Sequence, residues 1–243
     1  MHEDRITVLG VPFHSLGMDG AVEKIAGFII SGRLHQVVTA NPEMVMAALE
    51  DGELLQILSR AELVVADGIG IIWAARRLGT PLPERVPGVE LAAAALALAA
   101  GNGYRVYLLG GAPGVAADAA RRLRLKYPGL EIVGVQHGYF TAAEEDGVVA
   151  KIAAASPHIL LVGLGMSKQE KWIHRHREEL KVPVSIGVGG SLDVFAGRVQ
   201  RAPACMCRLG LEWLYRLLVQ PRRLFRMLAL PKFVFKVLGE EKS

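Results

Sequence analysis

Residues 104–126 read YRVYLLGGAPGVAADAARRLRLK and contain the signals of a strand, a turn and a helix in that order. Residues 104–109 combine aromatic and β-branched side chains, which favours a strand. Gly110 and Gly111 end this strand, and Pro113 stands just inside the start of the helix that follows. The order predicts a strand-to-helix unit of the kind that builds parallel sheets.

Short strands alternate with helix-sized segments along most of the chain. The predicted strands are residues 5–9, 35–40, 62–66, 104–109, 131–136, 158–162 and 183–188. Thr141 and Glu144 have the spacing of a capping box at the start of one intervening helix. We therefore predict an α/β fold over residues 1–200, a Rossmann-like parallel sheet with helices on both faces.

Residues 201–243 differ in composition and are predicted to form a basic amphipathic helical tail. From Arg198 to Lys236 there are nine Lys or Arg residues and one acid, Glu212. The formal net charge of this segment is therefore larger than the +4 of the whole chain. Cations that alternate with bulky apolar residues are typical of a helix lying on an anionic membrane surface. A core-packing helix with solvated arginines is the alternative.

The sequence favours a cytoplasmic protein that attaches to the inner face of the cell membrane. No uninterrupted apolar run reaches the ~18 residues that a spanning helix needs, and the start MHEDRITVLG lacks the features of a signal peptide. We expect no nucleic acid partner and no cofactor. The apolar tail is compatible with covering its own pocket or that of a second copy in a homo-oligomer.

Polar and glycine residues follow five of the predicted strands at their carboxyl ends. They are Thr39 and Asn41, Asp67 and Gly68, Gly110 and Gly111, residues 163–165, and residues 187–191. Ligands bind at this edge of open parallel sheets because neighbouring loops separate there and helix N-termini expose free amides. We therefore predict a binding site where these loops meet.

Each of these positions also has a purely structural explanation. Asn41, followed by a proline, has the pattern of a helix N-cap, and Asp67 is equally suited to capping the helix after it. Gly110 and Gly111 fit a phosphate-binding loop, but a tight strand-to-helix turn requires glycine as well. The residues alone leave these alternatives open.

Two classes of enzyme fit the sequence poorly. A dinucleotide-binding fold needs an acid at the end of the next strand, whereas the only acid of residues 131–136 is Glu131, at the start. No D-x-D or H-E-x-x-H motif occurs, and His174 and His176 point to different sides of a helix. We therefore expect no metal site, and we expect cationic side chains and backbone amides to balance any charge of the substrate.

Six sequence blocks occur in the order and spacing of a known family. They are VVTANPEMV, VVADGIGIIWAARRLG with ERVPGVEL, VYLLGGAPGVA, LLVGLGMSKQEKWI, IGVGGSLDVFAGRVQRAP and LGLEWLYRLLVQPRRLFR. Over essentially the whole chain, this pattern resembles the WecG/TagA/CpsF glycosyltransferase family.

The resemblance implies an inverting, metal-independent transfer of N-acetylmannosamine or a related sugar. The donor would be a UDP-sugar and the acceptor undecaprenyl-diphosphate-linked N-acetylglucosamine, as in the synthesis of wall teichoic acid linkage units or surface polysaccharides. The alternative from another class is a non-catalytic module that binds nucleotide or polyprenyl phosphate at the membrane.

The resemblance also implies roles for individual residues. It makes Asp67 the general base that takes the proton from the acceptor hydroxyl. Thr39 and Asn41 match sugar-orienting residues, and Arg85 and Gln169 match polar contacts in the same pocket.

Two further groups of residues match positions of the family that bind substrate. The residues that match UDP-binding loops are Gly110, Gly111, Gly187, Gly189 and Gly190. The residues that match the tail arginines are Arg216, Arg223 and Arg226. If these arginines lie on one helix they share a face, and their guanidinium groups suit diphosphate oxygens.

Overall fold

The computed structural model describes residues 5–200, 202–203, 206, 212–219 and 228–240. The strands are β1 (Arg5–Val8), β2 (Val11–His14), β3 (His35–Ala40), β4 (Leu63–Ala66), β5 (Arg105–Gly110), β6 (Glu131–Gln136), β7 (Ile159–Gly163) and β8 (Val184–Gly187). The helices are α1 (Met18–Ser31), α2 (Pro42–Glu50), α3 (Gly52–Arg60), α4 (Ile69–Arg77), α5 (Gly88–Asn102), α6 (Val115–Lys126), α7 (Ala142–Ala155), α8 (Lys168–Leu180), α9 (Ser191–Phe195), α10 (Glu212–Val219) and α11 (Ala229–Glu240).

Strands β3 to β8 form one parallel sheet in the order β4-β3-β8-β7-β5-β6, which confirms the predicted fold class. Successive side chains of a strand point to opposite faces of the sheet. Val37 packs in a cluster with α1, α5, α6 and α9, whereas Val38 packs with α2, α3 and α4. Leu160 lies on this second face and packs with α7 and α8. Helices therefore cover both faces, as predicted.

The prediction that residues 5–9 add a strand to this sheet is wrong. Strand β1 pairs antiparallel with β2 in a separate two-stranded sheet. Leu9 and Gly10 have φ values of 49° and 80°, and two consecutive positive φ values make a tight hairpin turn. Sequence analysis missed β2 because the turn lacks an Asn-Gly or Asp-Gly signal. The hairpin covers the edge of β4, where Nδ1 of His14 accepts a hydrogen bond from the Val64 N–H at 3.0 Å.

Helix α11 packs against α2 and α4 of the same chain. Its side chains Phe233 and Val237 are fully enclosed in the cluster that also contains Val38 and Ile71. Part of the predicted tail therefore contributes to the hydrophobic core on this face of the sheet.

One carboxyl group, that of Glu170, is also fully enclosed. Burial raises its pKa from an ordinary value of 4.5 to about 7, although hydrogen bonds from the Gln169 side chain and from the backbone amides of Glu170 and Ser167 oppose this shift. Its Oε2 atom has no hydrogen-bond partner. An enclosed carboxylate of this kind destabilises the fold when it is ionised.

At the carboxyl end of β5, the backbone comes unusually close to its neighbour. Gly110 has a φ of 139°, and a Cβ atom there would overlap the carbonyl group of Gly163. Glycine is required at this position for two reasons. Other residues rarely adopt this φ, and every other residue has a Cβ atom, which would overlap the Gly163 carbonyl group.

We predict that Gly110→Ala lowers the free energy of unfolding by about 3 kcal/mol, because strain and overlap add. The matched control is Gly27→Ala, in the middle of α1, where a Cβ atom would meet no other atom within 4 Å. Alanine should stabilise that helix by about 0.5–1 kcal/mol. Urea unfolding measures both changes, and equal effects would contradict the account.

We also predict an unusual pH dependence for Glu170. The folded state holds this proton more tightly than the unfolded state does, so the free energy of unfolding falls as the pH rises from 4.5 through about 7. The raised pKa corresponds to a loss of up to about 3 kcal/mol. Because Glu170→Gln cannot ionise, its stability relative to the unchanged chain should increase between pH 5 and pH 8 in urea unfolding. A constant difference would refute the assignment.

Candidate active site

Two cavities adjoin at the carboxyl edge of the sheet. The first, here called the Asp67 cavity, has a volume of about 420 Å³ and is lined by Thr39, Asn41, Asp67, Arg85 and Gln169 among others. The second, here called the Tyr139 cavity, has a volume of about 600 Å³ and is lined by Gly111, Tyr139, Phe140, Lys168 and Asp193 among others. Gly165, Gly189 and Gly190 line both cavities. Two molecules bound side by side would therefore meet over these glycines.

The side chains of Thr39 and Asp67 meet at the start of α5. A Cβ atom at Gly88 would lie 2.7 Å from Oγ1 of Thr39 and 3.3 Å from Oδ2 of Asp67, so both polar atoms face the same bare Cα. The backbone N–H of Asp67 donates to the Ala40 carbonyl at 2.8 Å, which ties the ends of β3 and β4 together. A hydroxyl and a carboxylate thus converge on one wall of the Asp67 cavity.

Of the two predicted capping residues, Asn41 caps a helix and Asp67 does not. Oδ1 of Asn41 accepts a hydrogen bond from the Met44 N–H at 2.9 Å, so Asn41 caps α2 as well as lining the cavity. The N-cap of α4 is Gly68, and α4 has no side-chain capping bond. Capping therefore does not account for the carboxylate of Asp67.

Arg85 lies in the connection between α4 and α5. The next residue, Val86, donates its N–H to the Ala66 carbonyl at 2.9 Å, which fixes this connection beside the end of β4. Arg85 consequently lines the same cavity as Asp67 and brings a positive charge to it.

Gln169 is enclosed and uses both ends of its amide within the protein. Nε2 donates to Oε1 of Glu170 at 2.7 Å, and Oε1 accepts from the Gly189 N–H at 3.0 Å. Sequence reasoning predicted a polar contact in the pocket. The geometry adds that Gln169 holds the glycine turn shared by the two cavities.

The five predicted glycines divide into two groups. Gly111, Gly189 and Gly190 line one or both cavities. Gly110 and Gly187 do not appear in either lining and instead allow close packing: Gly110 against the Gly163 backbone, and Gly187 against the side chains of Gln169 and Glu170.

Sequence reasoning missed most of the side chains of the Tyr139 cavity. Tyr139 is 74% exposed, and the Nζ atom of Lys168 lies 5.9 Å from the ring centre of Phe140. The signal was available, since Gly138 and Tyr139 follow the end of β6 at the same edge of the sheet as the predicted loops. Asp193, in α9, completes the polar lining.

The two described tail helices cover the Asp67 cavity of their own chain. Trp213 of α10 lines the cavity together with Leu230, Phe233 and Val234 of α11. Arg216 belongs to α10, but its side chain, like Arg223 and Arg226, lies outside the described residues.

Within the part of the chain that the structure describes, no group of three or more His, Cys, Asp or Glu side chains is arranged to hold a metal ion. Within the same residues, no helix has the length and apolarity needed to cross a membrane.

Comparison with known proteins adds to this geometry. Residues 6–243 match the sequence model of the family described as "Glycosyl transferase WecG/TagA/CpsF family". A Staphylococcus aureus (strain NCTC 8325 / PS 47) protein is 37% identical over 98% of this chain and 94% of its own length. A Bacillus spizizenii (strain ATCC 23059 / NRRL B-14472 / W23) protein is 40% identical over 85% of this chain and 80% of its own length. Both are named N-acetylglucosaminyldiphosphoundecaprenol N-acetyl-beta-D-mannosaminyltransferase.

These matches cover nearly the whole chain and agree with the family resemblance of its six sequence blocks. The chain therefore belongs to the WecG/TagA/CpsF family and is a glycosyltransferase.

Proposed function

We propose that this enzyme transfers N-acetylmannosamine or a related sugar from a UDP donor to undecaprenyl-diphosphate-linked N-acetylglucosamine. The names of its relatives support this choice of sugar and acceptor. The observation that carries the proposal is the pair of adjoining cavities, one of which contains a carboxylate and a hydroxyl at its wall. A donor and an acceptor need two sites with a common boundary.

The UDP donor occupies the Tyr139 cavity in this proposal. The exposed ring of Tyr139 offers a face on which a base can stack, and the charge of Lys168 suits a diphosphate. Asp193 offers an acceptor for ribose hydroxyl groups. The donor sugar then lies over Gly165, Gly189 and Gly190, where the cavities join.

The acceptor sugar occupies the Asp67 cavity, where Asp67 acts as the general base. As the carboxylate takes the proton from the acceptor hydroxyl, the hydroxyl oxygen forms a bond to the anomeric carbon of the donor. The bond from that carbon to the β-phosphate oxygen breaks, and its electron pair leaves with UDP. Attack opposite to the leaving group inverts the configuration at the anomeric carbon.

We further propose that cationic side chains, not a metal ion, balance the diphosphate charges. Arg85 lines the Asp67 cavity and Lys168 lines the other. Arg216 stands one helical turn after Trp213, whose side chain reaches the Asp67 cavity, and Arg223 and Arg226 follow in the sequence. Preorganised donors of this kind stabilise charge that develops on a leaving group.

The tail also attaches the enzyme to the inner face of the cell membrane in this proposal. Phe235 of α11 is 75% exposed, and Lys232 and Lys236 beside it are exposed as well. On α4, which packs against α11, Ile69 and Trp73 are partly exposed. Apolar side chains next to cations suit an anionic lipid surface, and the acceptor lipid would reach the cavity from the same side.

We predict that Asp67→Asn lowers turnover by ~10²–10⁴-fold, because the amide cannot accept the proton. Sugar transfer to a synthetic polyprenyl-diphosphate acceptor measures this change. Asp51→Asn is the control, since Asp51 caps α3 and is not among the residues that line either cavity. Near-normal turnover of the Asp67 variant would eliminate Asp67 as the base.

We predict that transfer continues at an unchanged rate when EDTA removes free divalent cations. Guanidinium, ammonium and backbone N–H groups take the place of a cation at the diphosphate. Loss of transfer in EDTA, with recovery on addition of magnesium or manganese, would contradict the metal-independent mechanism.

We predict that Phe235→Ser weakens binding to anionic vesicles about tenfold, since partial insertion of the ring is lost. Its stability should stay close to that of the unchanged chain because the ring is exposed. Phe233→Ser is the matched control, and it should lower the free energy of unfolding by about 3–5 kcal/mol because that ring is enclosed. Co-sedimentation with anionic vesicles measures the binding of each variant. Unchanged binding of the Phe235 variant would refute lipid contact at this residue.

A further inference from the structure

Glu170 lies directly behind the wall of the Asp67 cavity without lining it. Its Oε1 atom accepts the hydrogen bond from Nε2 of Gln169 at 2.7 Å. A Cβ atom at Gly187 would lie 2.7 Å from each of these two atoms, so the pair packs tightly against the end of β8. The carboxyl group is therefore confined between the sheet and the Gln169 amide.

The chemistry of the carboxylate determines which way the Gln169 amide points. The Oε1 atom of Glu170 accepts in the ionised carboxylate, and it also accepts as the carbonyl oxygen of the neutral acid when the proton is on Oε2, whereas an amide carries a donor nitrogen and an acceptor oxygen. Oε1 of Glu170 therefore selects the orientation in which Nε2 of Gln169 faces it. The oxygen of the amide then faces Gly189, whose N–H needs an acceptor. The reversed amide would place two donors against each other at Gly189.

Helix capping accounts for only part of this arrangement. Glu170 is the third residue of α8, and the nearby backbone N–H groups of Glu170 and of Ser167, the N-cap residue, lower the pKa of its carboxyl group. A glutamate at this position gains such an interaction at an exposed helix end as well. Full enclosure and an unpartnered Oε2 atom go beyond what a cap requires, and both destabilise the fold. Features that reduce stability in this way are concentrated at functional sites.

We propose that Glu170 is a positioning residue of the transferase site. Through the amide of Gln169 it fixes the Gly189 N–H and the glycine turn where the two cavities join. Under the proposed function on which this inference rests, that turn supports the donor sugar beside Asp67. Glu170 itself touches no substrate.

The test combines a structural readout with a kinetic one. Glu170→Leu removes the acceptor and keeps an apolar group of similar size, and Glu170→Gln keeps the size and capping ability but no longer selects one amide orientation. The matched control is Gln36→Leu, because Nε2 of Gln36 donates to the main-chain carbonyl of Glu170 at 3.0 Å rather than to its carboxyl group.

Amide hydrogen exchange at Gly189, measured on the full chain without substrate, is the structural readout. We expect exchange about tenfold faster in both Glu170 variants than in the Gln36 variant, after correction for the stability measured for each chain by urea unfolding. This readout needs no enzymatic activity, so it remains decisive even if the proposed transfer fails. Equal exchange in all three variants would overturn the proposal.

The kinetic readout is a double-mutant cycle with Gln169→Ala. We expect Glu170→Leu to lower kcat/KM about tenfold in the unchanged chain and to have almost no further effect once residue 169 is alanine. A full additional loss in the double variant would mean that Glu170 acts independently of Gln169, and that result would also overturn the proposal.

Discussion

The close stacking of the backbone at the carboxyl ends of β5, β7 and β8 is the constraint on which the site depends. A Cβ atom at Gly110 would overlap the Gly163 carbonyl, and one at Gly163 would lie 2.7 Å from the Gly189 carbonyl oxygen. Because these strands are neighbours in the sheet, three glycines in succession remove side chains from its edge. Gly110 allows this close packing, whereas Gly163 lines the Tyr139 cavity and Gly189 lines both cavities. At Gly163 and Gly189 a substrate can come close to bare backbone.

Polar groups around these glycines are held by other parts of the protein. Asn41 caps α2, Gln169 bonds with Glu170 and Gly189, and the Arg85 connection is tied to β4 through Val86. A group whose rotamer is fixed in advance costs little reorganisation when the substrate arrives. Enclosing Glu170 reduces stability in return for this order, a compromise that is common near active sites.

The sequence predicted the parallel sheet well, and the two cavities lie at the edge where it predicted a binding site, because both features depend on local patterns. Strand, glycine and helix signals occur in series, and parallel strands bring their carboxyl ends to one edge. The β1–β2 hairpin was missed because the turn at Leu9 and Gly10 depends on backbone angles that the residue types scarcely signal. The close approach at Gly110 likewise depends on Gly163, which is distant in sequence and visible only in the folded chain.

The candidate site was predicted less completely, for a related reason. Thr39, Asp67 and Arg85 come from different segments of the chain and line the same cavity, and only the family resemblance grouped them in the sequence. Tyr139 and Asp193 form a second cavity through tertiary contacts that no short motif encodes. The basic composition of the tail indicated a surface helix, but burial of Phe233 depends on the shape of the groove between α2 and α4.

The anomeric configuration of the product tests the central claim most directly. With an α-linked UDP-sugar donor and a polyprenyl-diphosphate N-acetylglucosamine acceptor, direct displacement assisted by Asp67 predicts a β-linked disaccharide. The one-bond coupling between the anomeric carbon and its proton, measured by NMR of the purified product, distinguishes the two linkages. An α-linked product would require a covalent intermediate or another mechanism, and it would contradict the assignment of a single base acting across two adjoining cavities.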